Sequence, residues 1–86
     1  MILIFSDYAK KELENLPQDL KTVYLKHLEK IQSMPPRKHM KHGIPFHVEN
    51  VTKQARIIYD LNGDKTYILH CFKSHKEYER WYKSYK

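Results

Sequence analysis

Two apolar-rich runs, KQARIIYDL and TYILHCF, flank Asn62 and Gly63. Asparagine and glycine both tolerate the positive φ that a type I′ turn demands, so this pair predicts a tight β-hairpin. The period of two begins earlier. In IPFHVEN, Ile44, Phe46 and Val48 alternate with Pro45, His47 and Glu49. Three such segments in succession predict a three-stranded antiparallel meander running from Ile44 to Phe72. Pro45 has no amide proton to give to a ladder, which puts the start of the first strand at an edge or in an irregular segment.

Upstream of the meander the period is helical. ILIF reads as a short buried strand that stops at Ser6 and Asp7. Ser6 then serves as the N-cap of a helix in DYAKKELENL, where Ala9, Leu13 and Leu16 recur at helical spacing. Pro17 ends that helix and suits the first turn of a second one, from about Pro17 to Ser33. That helix carries Leu20, Val23, Tyr24, His27, Leu28 and Ile31 on one side, with Lys21, Lys26 and Glu29 on the other. An antiparallel helical hairpin is the economical arrangement. Pro35 and Pro36 end it, and RKHMKHG runs to Gly43 as a basic loop.

Downstream, Ser74 and Glu77 have the spacing of a capping box. Tyr78, Trp81, Tyr82 and Tyr85 follow at i, i+3, i+4 and i+7, the stripe of a short helix docked on a sheet. Trp81 suits packing, while a tyrosine at the helix margin can pack its ring and still present its hydroxyl. The expected fold is α+β: an N-terminal strand, a helical hairpin, a three-stranded antiparallel meander and a short C-terminal helix. With 86 residues, residues 1–86 form one domain.

Sixteen Lys and Arg against ten Asp and Glu give a net charge of +6. Such an excess describes association and points to an acidic partner, nucleic acid first and an acidic protein second. In the basic loop, Arg37, Lys38, His39, Lys41 and His42 read either as backbone-phosphate contacts or as an ordinary solvated connector. The longest apolar run, MILIF, is far short of the roughly 20 residues of a membrane span and lacks the marks of a secretory signal. A soluble, cytoplasmic protein that uses no membrane is therefore expected. The single Cys71 can form no internal disulfide. The six histidines show no i, i+4 pair on a helix and no short ligand spacing, so neither a metal nor a cofactor is expected.

The order of elements, with the residues just placed, resembles the RelE/ParE superfamily of small toxins from toxin–antitoxin pairs. The likeness covers nearly the whole chain. It is carried by FSDYAKKELENL after an initial strand, by KHMKHG where the family often has a Leu-Lys-Gly type motif, and above all by ARIIYDLNGDKTYILHCF with its Arg-aliphatic-aliphatic-Tyr signature, Arg56 to Tyr59. The resemblance implies the toxin of a type II system: a metal-independent mRNA endoribonuclease that cuts mRNA in the ribosomal A site, inhibits translation and is neutralised by a cognate antitoxin. The free toxin is expected to be a monomer. A ParE-like toxin that inhibits DNA gyrase without cutting RNA shares the fold, as does an inactive RNA-binding relative.

In the RelE branch the RNA 2′-hydroxyl attacks its neighbouring phosphate. The site then needs a proton acceptor, a donor for the leaving 5′ oxygen and cations over the phosphorane. The resemblance puts Arg56 on the scissile phosphate, with a structural pairing to Glu49 or Asp60 as the other reading. Lys76 falls on a second family cation. Tyr82 falls on the C-terminal tyrosine, which stacks on a base or takes part in proton transfer. His75 is a candidate general acid or base, or a solvated residue at a helix start. His47 and Glu49 fall where the best-known branch has lysines; His47 keeps a proton carrier there, and Glu49 serves either as the base or as a partner for Arg56. Tyr78 joins the RNA-contacting set. His27 and His70 read as structural.

Overall fold

Ser6 closes the first strand and opens the first helix. Its Oγ accepts the Ala9 amide proton at 3.0 Å, the expected N-cap bond, and donates to the Leu69 carbonyl at 2.7 Å. The computed structural model describes residues 2–33 and 46–85. The loop candidates Arg37, Lys38, His39, Lys41 and His42 and the expected strand start at Ile44 and Pro45 lie outside the described residues, as does the side chain of Tyr85. The elements are β1 (Ile2–Phe5), α1 (Asp7–Glu14), α2 (Gln18–Ser33), β2 (His47–Asn50), β3 (Arg56–Asn62), β4 (Lys65–Phe72) and α3 (His75–Tyr85).

The four strands form one mixed sheet in the order β1-β4-β3-β2. The meander β2-β3-β4 is antiparallel as expected, and β1 runs parallel to β4 on its outer side. One detail of the hairpin differs from expectation. Asn62 pairs with Lys65, so the two loop residues are Gly63 and Asp64 rather than Asn62 and Gly63. Gly63, at φ +64°, takes the first loop position in a left-handed conformation that glycine adopts without steric cost.

β3 is buried on both faces, and for that reason it reads as a nearly continuous apolar run. Ile57 and Tyr59 face one core with Ile68 and Cys71, closed by Ala9, Leu16, Tyr24, Leu28 and Ile31 from the α1–α2 segment. Ile58 and Phe72 face the other, where Phe46, Val48, Leu69, Tyr78, Trp81 and Tyr82 pack. The sheet therefore separates α1 and α2 from α3.

Between β3 and β4 the register steps from Tyr59 opposite Ile68 to Ile58 opposite His70, leaving Leu69 as the extra residue of a bulge. Its carbonyl is the one that Ser6 takes. Beyond Ile68, β4 has no β1 partner, and Glu12 covers the bare edge. Its Oε1 accepts the Cys71 amide proton at 2.9 Å, and its Oε2 lies 3.1 Å from Nδ1 of His70. On the same strand, the buried Tyr24 hydroxyl donates to the Phe72 carbonyl.

Candidate functional site

The connection from β2 to β3 is a tight turn closed by Thr52. The Thr52 Oγ1 accepts the amide protons of Gln54 at 3.1 Å and Ala55 at 2.9 Å, and the Ala55 carbonyl accepts from Val51 at 3.0 Å. This turn delivers Arg56 as the first residue of β3. Nη1 of Arg56 donates to the Thr52 carbonyl at 2.8 Å and the Ala55 carbonyl at 3.0 Å. The guanidinium carbon then lies 5.9 Å from the ring centroid of Tyr78, within the roughly 6 Å of a cation–π contact. Arg56 pairs with neither Glu49 nor Asp60; backbone carbonyls and an aromatic face hold it.

Helix α3 supplies the rest. Ser74 caps it: Oγ accepts the Glu77 amide proton at 3.2 Å and donates to the Glu77 carboxylate at 3.3 Å. The Tyr78 ring stacks on Tyr82 at 5.8 Å with 12° between planes, and lies 5.8 Å from the His75 ring. Burial raises the Tyr78 phenol above its ordinary pKa, with Arg56 opposing and Tyr82 reinforcing the rise. Arg56, Tyr78, Tyr82 and His75 thus form one connected group. Trp81 packs inward against Phe72 at 5.8 Å, His70 at 5.3 Å and Phe46 at 6.3 Å.

Lys76 does not join the others beside Arg56. It stands two residues from Tyr78, and side chains at i and i+2 on a helix do not face each other. Lys76 lies instead on the outward side of α3, in an open groove of about 450 Å³ lined by Gln54, His75, Lys76, Glu79, Arg80 and Lys83. Within it, Glu79 bonds Nε2 of His75 at 2.9 Å and Nζ of Lys83 at 3.2 Å. Lys83 is the main reason that the Glu79 carboxyl lies below the usual carboxylate range. Nδ1 of His75 is buried with no hydrogen-bond partner.

His47 and Glu49 are the larger correction. They share a face of β2, as the alternation implies, but that face looks at α2. Cross-strand pairing settles it: Asn50 lies opposite Arg56, whereas Glu49 lies opposite Ile57 and His47 opposite Tyr59. The Glu49 carboxylate is 2.6 Å from Nδ1 of His27 and 3.1 Å from Nζ of Lys30. His47, only 8 % exposed, stacks on Tyr59 at 5.3 Å. The sheet therefore stands between these two residues and the Arg56 group. The Tyr59 phenol is raised by burial and then by Glu49.

Among the described residues, no group of three or more His, Cys, Asp or Glu is arranged to hold a metal ion, and no helix is long and apolar enough to cross a membrane. Cys71 is buried and its thiol is pushed up to about 12, which leaves it protonated at neutral pH. Sequence reading missed Thr52, Gln54, Glu79 and Arg80. Glu79 was the accessible one, four residues after His75 and four before Lys83.

No family model matches this sequence, and no curated protein matches it. Solved structures do. The chain superposes on the isolated RelE toxin of Escherichia coli with a TM-score of 0.73 at 15 % identity, covering 99 % of this chain and 98 % of that one. RelE in the RelB–RelE antitoxin–toxin complex of Methanococcus jannaschii gives 0.68 at 14 % identity, covering 91 % and 96 %. The YoeB–YefM complex of Staphylococcus aureus gives 0.67 at 12 % identity, covering 84 % and 94 %.

Proposed function

From the fold that this chain shares with the RelE and YoeB toxins, we propose that it is the toxin of a type II toxin–antitoxin pair and acts as a metal-independent endoribonuclease on mRNA in the ribosomal A site. The observation that carries the reading is the Arg56 group: a cation held at the start of β3 by two carbonyls and set against the stacked rings of Tyr78 and Tyr82. A cation fixed in this way suits the charge that builds on the phosphorane, and aromatic faces suit unpaired bases.

In the reaction, the 2′-oxygen bonds to phosphorus while the bond to the leaving 5′-oxygen breaks, giving a 2′,3′-cyclic phosphate and a 5′-hydroxyl. The proton lost by the 2′-hydroxyl and the one gained by the 5′-oxygen must both be carried. Tyr78, with its raised pKa, stays protonated at neutral pH and acts as a hydrogen-bond donor and not as the base. His75 is the proton carrier of the group, and to act it must exchange Glu79 for the substrate. Lys76 contributes cationic charge from the outer groove. The cognate antitoxin is an acidic partner that covers this basic surface.

One observation favours the alternative of a toxin with this fold that does not cut RNA, ParE-like and gyrase-directed or RNA-binding alone. Glu49 is engaged by α2, and the His75 nitrogens are either paired or buried, so among the described residues no general base stands open beside Arg56. Primer extension on a defined mRNA, with and without programmed ribosomes, separates the readings. New 5′ ends that appear only with ribosomes and vanish in Arg56→Ala support the A-site nuclease, and ends without ribosomes support a ribosome-independent one. No ends in either condition, together with inhibition of DNA gyrase, would support the ParE-like function.

A further inference from the structure

The outward side of α3 carries a feature that the Arg56 group does not use. Lys76, Arg80 and Lys83 fall at i, i+4 and i+7, on one line of the helix surface. At a rise of about 1.5 Å per residue, Lys76 and Arg80 stand roughly 6 Å apart along the axis. That is close to the separation of successive phosphates on an extended strand. The line forms one wall of the 450 Å³ groove, and Gln54, from the turn that sets Arg56, borders it on the other side. The groove therefore opens within two residues of Arg56 along the chain.

Resting on the nuclease reading above, we infer that this groove holds the RNA backbone flanking the scissile phosphate. Lys76, Arg80 and Lys83 are its phosphate contacts, Gln54 is a sugar or base contact, and Glu79 is the acidic residue that the strand must displace. Two observations favour nucleic acid over an acidic peptide. Among the described residues no large apolar side chain lines the groove, so a helix or strand from a protein finds no pocket there for an anchor. The stacked Tyr78 and Tyr82 stand on another side of the same helix and reach the groove through His75, which lines it and lies 5.8 Å from the Tyr78 ring, so a base platform and a phosphate track share that residue. Glu79 ties up both Lys83 and His75 in the free protein. A phosphate that takes over Lys83 thus also loosens His75, coupling strand binding to release of the proton carrier.

The test is fluorescence anisotropy of a labelled, fully 2′-O-methylated RNA oligonucleotide, which binds but cannot be cut, titrated with the full chain over a salt series. R80A/K83A is expected to bind at least about tenfold more weakly, and its log–log salt slope to fall by about 1.4, or roughly 0.7 for each lost phosphate contact. Glu79→Gln, at a partly exposed position, is expected to bind several-fold more tightly, which a merely structural role for Glu79 would not produce. If both variants bind as the wild type does while Arg56→Ala binds more weakly, the Arg56 site stands and the groove assignment is overturned. If the wild type binds no free RNA, the groove assignment is overturned, while the nuclease reading is decided separately by primer extension in programmed ribosomes. Displacement of the RNA by poly-glutamate of equal charge at equal concentration would overturn the assignment in favour of an acidic protein.

Discussion

The Arg56 guanidinium lies 5.9 Å from the centre of the Tyr78 ring, and its Nη1 is committed to the carbonyls of Thr52 and Ala55. A planar fork can bond two carbonyls and still offer its remaining N–H groups to a phosphate, whereas a lysine ammonium has no such geometry. Arg56→Lys is therefore expected to keep the fold but lose cleavage by about 10²-fold, the range for removing one donor at a developing oxyanion. Single-turnover cleavage beside a thermal melt checks this.

Thr52 acts on the site through Arg56. Its Oγ1 closes the turn whose carbonyls hold the guanidinium. Thr52→Ala should reduce cleavage about tenfold, while Thr52→Ser, which keeps the hydroxyl, should restore it; each tenfold step corresponds to about 1.4 kcal/mol of barrier. Equal rates in the two variants would count against the turn as a positioning device.

Glu12 takes two groups that an uncovered strand edge would leave open, the Cys71 amide and the His70 ring. Glu12→Ala should lower unfolding free energy by about 1–3 kcal/mol, the usual cost of an orphaned buried donor. Glu12→Gln, which still accepts from the amide, should lose less. Urea denaturation of the two variants measures the difference.

Cys71 gives the protein an alkaline sensitivity. Burial lifts its thiol from 9.0 to about 12, so at pH between those values the unfolded chain sheds a proton that the folded chain keeps. Stability from this group is complete below about pH 9 and is lost as pH rises toward 12. Tyr24, raised by burial as well, adds to the loss at higher pH. Cys71→Ala should flatten the fall in melting temperature between pH 9 and 11, and the wild-type thiol should resist labelling at pH 8 until the protein unfolds.

Much of the fold was legible because local chemistry and tertiary structure agree. Ser6 and Ser74 cap the helices that they precede, and the aromatic stripe of α3 docks on Ile58 and Phe72. The hairpin loop shifted by one residue because Gly63 suits the first loop position, and the Asn-Gly pair alone does not say which two residues stay unpaired. The site was legible only in part. Alternation put His47 and Glu49 on one side of β2, but whether that is the side of Arg56 depends on the register set by the Val51–Ala55 turn, which puts them on the opposite one. Lys76 matched a family position by spacing, yet the helical period turns it away from Tyr78. Glu12 carried no signal, because a carboxylate on an amphipathic helix reads as solvated until the strand edge beside it is known.

The placement of function on the α3 face, and not on the α2 face, is tested most directly by single-turnover cleavage of mRNA in programmed ribosomes, comparing Arg56→Ala with Glu49→Gln. Cleavage lost in Arg56→Ala and kept within about threefold in a folded Glu49→Gln is the predicted result, since that span is less than 1 kcal/mol of barrier. Cleavage abolished in Glu49→Gln with its melting temperature intact would contradict it and move the site across the sheet.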